Sequence, residues 1–208
     1  TDSFFKVAQM FEDKKGRLAL IDFLRMLGRD KRLTPGKSHE IIAKLAKLGY
    51  FDVILTTNYD FLIEIALKQA RCDYDVITDD VSLVFGQNRV KVIKLHGDLE
   101  YPDSLVITEK DYENFFKEKK KKAVIDFLRI MHVSNSYCYV GCSMKDANFR
   151  QILKEMRCHL GKFSYSSYMV KPISAEDRDE EFRKTAEIRK MMNIKDVIGL
   201  ESNIFFQN

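Results

Sequence analysis

Val53-Ile54-Leu55-Thr56-Thr57-Asn58-Tyr59-Asp60 decides the fold. The apolar opening, within a strand predicted over residues 52–56, breaks off in a polar cluster. Residues 61–70 then carry helical spacing, with Leu62, Ile65 and Ala66 expected to face inward. In α/β folds, ligands bind in the crevice at the carboxyl ends of strands. An amide and a carboxylate two residues apart, Asn58 and Asp60, are placed there for chemistry rather than for packing. The competing reading is that one of them caps the following helix, a position that favours Asn and Asp.

Two further clusters follow strand-like runs. Lys94-Leu95-His96-Gly97-Asp98 closes the run 90–95, whose residues suit burial on both faces. Gly141-Cys142-Ser143-Met144-Lys145-Asp146 follows residues 137–140. Three strand-end motifs predict one site built from three loops. A histidine at a strand end, as His96 is expected to be, belongs to the residue type suited to a general base. Gly97 permits close backbone approach or a positive φ. Ser143-x-x-Asp146 reads as a capping box, and the same capped N-terminus offers N–H groups to a phosphate.

Around these motifs, helices are expected over residues 4–13, 17–28, 38–48, 123–132, 149–158 and 176–192. A helix capped by Thr108, with Asp111 as its reciprocal carboxylate, runs into a lysine-rich stretch, 117–122, read as a solvated helix end. Short strands are expected over 74–78, 105–108, 165–170 and 197–200. Strands alternating with helices predict an α/β, Rossmann-like, doubly wound parallel sheet flanked by helices.

Composition sets the class. The chain has 208 residues, of which 45% are hydrophobic and 32% charged, as in an ordinary globular protein. A net charge of +4, with the signs mixed, does not imply nucleic acid as a partner. No apolar run reaches the roughly 18 residues a membrane helix needs. Cys72, Cys138, Cys142 and Cys158 form no Cys-x-x-Cys pair, so free thiols in a cytoplasmic setting are expected, without a metal.

Taken in order, the motifs resemble the sirtuin-like family, in particular its prokaryotic NADase branch. The resemblance covers about residues 34–200; Pro35, His39, Ala43 and Leu45 look like the family's helix ahead of the first motif, and four further segments carry the rest. These are Thr-Thr-Asn-Tyr-Asp-Phe-Leu-Ile-Glu at 56–64, Leu-His-Gly at 95–97, Gly-Cys-Ser-Met-Lys-Asp-Ala-Asn-Phe-Arg at 141–150 and Met191-Met192-Asn193-Ile194. It implies a Rossmann-like fold that binds NAD and cleaves the nicotinamide–ribose bond, as in defence effectors that deplete NAD. Asn58, His96 and Asp60 would be catalytic. Thr56, Thr57, Gly97, Gly141, Ser143 and Asp146 would bind NAD. The alternatives are a non-catalytic NAD or ADP-ribose module and an ADP-ribosyltransferase.

The chain departs from the family's deacylases. Residues 98–136 hold no cysteine for a zinc ribbon, and Thr57 stands where deacylases carry Gln. Both departures point away from deacylation. The family's Gly-Ala-Gly-x-Ser phosphate loop is also missing. Either the chain lacks its N-terminal strand and loop, with 1–33 a helical lead-in to a single domain, or the loop was lost. Because unchecked NAD hydrolysis would be toxic, a homo-oligomer or a partner sensor domain is expected as a trigger.

Overall fold

A computed structural model describes residues 4–28, 34–117, 121–142, 150, 153–154, 165–171, 183, 186–191 and 193–199. The chain divides into two compact units, residues 1–124 and 125–208.

The first unit opens with α1 (Phe4–Lys15) and α2 (Arg17–Gly28). Gly16, at φ +88°, turns the chain between them. Ala8, Leu20, Ile21 and Leu24 from this pair pack with Leu99, Leu105 and Ile107 in one apolar cluster. Arg17 pins the pair by donating to the Asp111 carboxylate at 2.7 Å and to the Leu105 carbonyl at 3.1 Å.

Next come α3 (Lys37–Lys47), β1 (Val53–Thr56), α4 (Leu62–Gln69), β2 (Tyr74–Ile77), α5 (Asp80–Phe85) and β3 (Val90–Lys94). The strands form a parallel sheet in the order β1-β3-β2. β3 lies between two neighbours, which accounts for its nearly continuous burial. Val90 and Val92 meet Ala43 and Ala46 of α3 and Ala66 and Leu67 of α4 in a second cluster. The inward face of α4 is therefore Glu64, Ala66 and Leu67, not the expected Leu62, Ile65 and Ala66; Ile65 is 38% exposed.

α6 (Glu109–Lys117) is the last helix of this unit; α7 (Lys122–Ser134) starts at its end and belongs mostly to the second. The α6 start is the reciprocal box read from sequence. The Thr108 N–H donates to Asp111 at 3.0 Å, and the Asp111 N–H donates to the Thr108 hydroxyl at 3.1 Å. The Ile107 N–H also donates to that carboxylate, and Arg17 sits beside it. Burial alone would raise the Asp111 pKa, but these contacts outweigh it and hold it below the ordinary carboxylate range.

Residues 105–108 are not a strand. They are buried, but only the Val106 N–H pairs with the neighbouring chain, donating to the His96 carbonyl at 2.9 Å. One bond does not make a ladder.

The second unit carries β4 (Cys138–Val140), β5 (Ser167–Lys171), α8 (Ala186–Met191) and β6 (Ile194–Gly199). Its strands form a second parallel sheet, in the order β4-β5-β6. Most of the helix expected over 149–158 and much of that over 176–192 lie outside the described residues. The chain is thus α/β throughout, with parallel sheets and flanking helices. Among the described residues, no helix is long and apolar enough to cross a membrane.

Candidate active site

The first two motifs meet because β1 and β3 pair in register. Thr56 lies opposite Lys94, and the Leu95 N–H donates to the Thr56 carbonyl at 2.9 Å. Asn58 and His96 each stand two residues beyond that pair, at adjacent carboxyl ends of parallel strands. This is the crevice position at which α/β sheets bind ligands.

The Asn58 loop is locally braced. The Asn58 N–H donates to the Thr56 hydroxyl at 3.1 Å, while the Asn58 side chain is exposed. Asp60 accepts the Leu62 N–H at 3.0 Å in an Asx turn just ahead of α4, but the N-cap itself is Phe61 and carries no side-chain cap bond, so neither Asn58 nor Asp60 caps the helix. A cleft of about 390 Å³ lies here, lined by Thr57, Asn58, Tyr59 and Asp60 with Leu24 and Leu27 of α2. Thr56 and Thr57 are both half-buried, and of the two only Thr57 lines the cleft.

His96 is enclosed by contrast, at 4% exposure. Its Nε2 shares a short hydrogen bond with the Tyr112 hydroxyl. The Phe5 ring stands edge-on to both, 5.8 Å from His96 and 4.4 Å from Tyr112, centre to centre. Tyr59 completes the aromatic enclosure at 6.1 Å, its hydroxyl anchored on the Val106 carbonyl. Gly97 adopts φ +85°, and a Cβ there would overlap the Ser104 carbonyl.

Beneath the two loops lies Lys94, the last residue of β3, with no exposed surface. Its ammonium pairs with Glu64 and Asp98 at 2.9 Å each and donates to the Asp60 carbonyl at 2.8 Å. The Phe61 ring lies 4.4 Å away. Burial pushes the Glu64 carboxyl above its ordinary range, and the Lys94 ammonium works against that shift.

Lys121 corrects the reading of 117–122 as a solvated helix end. It is 7% exposed and donates to the Leu95 carbonyl at 2.8 Å and the Lys94 carbonyl at 3.3 Å. Lys94, Glu64, Tyr112, Phe5 and Lys121 all escaped the sequence reading. A lysine inside a strand otherwise suited to burial on both faces was the available signal for Lys94.

The third motif belongs to the second unit. Gly141 follows β4 at φ +67°, with open space where a Cβ would stand. Ser143 and Asp146 lie outside the described residues. A larger cleft, of about 520 Å³, is lined by Thr78, Asp80, Tyr101, Ser104, Asn114 and Lys121 and by none of the residues selected from sequence.

The chain is 26% identical over 189 residues to the NAD(+) hydrolase ThsA of Cytobacillus dafuensis, covering 85% of this chain and 37% of that protein. It is 32% identical over 123 residues to the NAD(+) hydrolase ThsA of Bacillus cereus (strain MSX-D12), covering 58% of this chain and 25% of that one. Defense-associated sirtuin 2 of Bacillus subtilis is 24% identical over 164 residues, covering 76% of this chain and 15% of that protein. The chain thus spans well under half the length of these relatives. The family description "SIR2-like domain" matches residues 52–191, a stretch that begins just before β1 and includes the Asn58, His96 and Gly141 motifs. With that match over most of its length and parallel strands ending in those motifs, the chain belongs to the SIR2-like domain family.

Proposed function

We propose that the chain is the NAD-cleaving part of a defence effector, releasing nicotinamide and ADP-ribose. The observation that carries this is the pairing of β1 with β3, which sets Asn58 and His96 side by side at neighbouring strand ends. Relatives named NAD(+) hydrolase support the substrate. The family match crosses both compact units, which supports reading residues 34–200 as one sirtuin-like domain.

In the proposed reaction the bond from ribose carbon to nicotinamide nitrogen breaks. Its electron pair leaves with nicotinamide and neutralises the ring. Positive charge develops on the ribose, as in glycoside cleavage. The exposed Asn58 carboxamide orients water or a ribose hydroxyl without adding charge. The water oxygen bonds to the ribose carbon, and its proton passes to His96 and on to solvent. Asp60 shapes the Asn58 loop through its bond to Leu62, and Thr56 and Thr57 line the approach. Gly97, Gly141, Ser143 and Asp146 are assigned to the nucleotide.

Asn58→Ala and His96→Ala in the intact protein should each abolish nicotinamide release while circular dichroism shows the fold retained. Release at the parental rate in both folded variants would refute the assignment. The burial of His96 favours one second reading, a module that binds NAD or ADP-ribose without breaking a bond. Saturable NAD binding with no nicotinamide released, even with the triggering partner present, would favour it.

A further inference from the structure

Among the described residues, Lys94 is an ion-paired group that touches both candidate loops. Asp60, two residues after Asn58, gives it a backbone carbonyl at 2.8 Å. Asp98, two residues after His96, gives it a carboxylate at 2.9 Å. Glu64, on the first turn of α4, supplies the third oxygen at 2.9 Å. The Gly97 N–H donates to the Lys94 carbonyl at 2.9 Å, so the same residue also closes the turn that carries His96. A well-packed apolar trio can fill such a space at equal or better stability. What apolar side chains cannot supply is a fixed point that binds one loop through its backbone and the other through its carboxylate.

We propose that Lys94 is a positioning residue: its buried ammonium, held by Asp60, Glu64 and Asp98, sets the spacing between Asn58 and His96. This deepens the proposed NAD cleavage and rests on it for its kinetic test. Lys94 touches no substrate. Its effect belongs in the chemical step, because a displacement of about 1 Å between reacting groups costs on the order of 100-fold in rate. Nucleotide affinity, spread over many contacts, should hardly change.

The test compares Lys94→Met, Glu64→Gln and Leu67→Ala in the intact protein. Leu67 is a fully buried α4 residue whose contacts lie in the apolar cluster with α3. Melting curves first fix a temperature at which each variant is folded. There, Lys94→Met should lose about 100-fold in kcat with an unchanged KM for NAD. Leu67→Ala, destabilised by a cavity, should keep kcat within about twofold. Folded Lys94→Met with parental kcat, or a loss seen equally in Leu67→Ala, overturns the proposal.

If Lys94→Met does not fold, Glu64→Gln decides, since it keeps an amide on the ammonium and removes one charge. A fall of about tenfold in its kcat at constant KM supports the proposal, and an unchanged kcat overturns it. If the parent protein releases no nicotinamide, the proposed function has failed and a second readout judges Lys94. In that case the ¹⁵N side-chain resonances of Asn58 and His96 in Glu64→Gln should both shift. If both stay in place, Lys94 does not position them.

Discussion

A side chain at position 97 is opposed twice. The backbone sits at φ +85°, which costs an L-residue about 1–2 kcal/mol. The Cβ would also overlap the Ser104 carbonyl, which is backbone and cannot rotate away. Ser104 is held in turn: its hydroxyl accepts the Asp98 N–H at 3.0 Å and donates to the Tyr101 carbonyl at 2.6 Å. Gly97→Ala should therefore cost more than about 2 kcal/mol in urea unfolding of the intact protein. A loss below about 0.5 kcal/mol would show that the turn yields easily. The sequence reads Gly97 as permitting close backbone approach or a positive φ, and the positive φ is what the structure has. The close approach in the structure is to the protein's own backbone, and a role toward NAD would come on top of that. Asp60 carries a similar double reading, because its carboxylate holds the turn ahead of α4 whatever else it does.

At the scale of elements, α1 covers the histidine. Phe5 is 8% exposed and presents its ring edge to His96 and Tyr112, while Phe4 leans on Tyr59 at 6.2 Å. Asn58 faces an open cleft and His96 does not, so the two meet one substrate only if this aromatic cover shifts. Phe5→Ala should raise the rate at which diethyl pyrocarbonate modifies His96, read by peptide mass spectrometry, with Leu18→Ala on exposed α2 surface as the control. Equal rates in parent and Phe5→Ala would mean that α1 does not shield the ring. None of this was legible from sequence, where Phe4, Phe5, Ala8 and Phe11 read simply as one apolar face of a helix. What periodicity did reveal was the set of elements whose patterns are local: α1 to α4, β1 to β3 and the Thr108 box. It missed α5, although Asp79-x-x-Ser82 carries the signature; the Asp79 carboxylate accepts the Ser82 N–H at 2.7 Å, and the Ser82 hydroxyl accepts the Asp79 N–H at 3.1 Å. It turned residues 105–108 into a strand because burial alone produces the same apolar run as a ladder. It put Ile65 inside because helical spacing fixes a stripe only to within a residue, and the neighbours on α3 and β3 choose the rest.

At the scale of the whole molecule, the question is what a buried lysine does to stability across pH. Lys121 came from a charge run, and such runs are usually solvated, yet tertiary contacts draw this one amine onto the carbonyls at the end of β3. Burial disfavours its charged form, and Asp79 and Asp80 only partly compensate, so its pKa is pushed down from 10.5 to about 7. An amine without its extra proton still donates to both carbonyls. In the unfolded chain the same lysine keeps its proton up to about 10.5. Between about 7 and 10.5 the unfolded state therefore binds more protons than the folded one, and stability rises with pH across that window. Below about 7 both states are protonated and the full cost of burying the charge is present. Thiols work the other way over part of this range, since burial pushes Cys72, Cys138 and Cys142 up. The lysine's share is thus read as a difference. Urea midpoints of the parent protein, measured from about pH 7 upward, should gain on those of Lys121→Met as pH rises. The gap should widen most steeply midway between about 7 and 10.5 and flatten as the unfolded lysine also begins to lose its proton. Two curves that stay parallel from neutral to alkaline pH would mean that Lys121 holds its proton in the folded chain, and that Asp79 and Asp80 stabilise the ammonium more than burial opposes it.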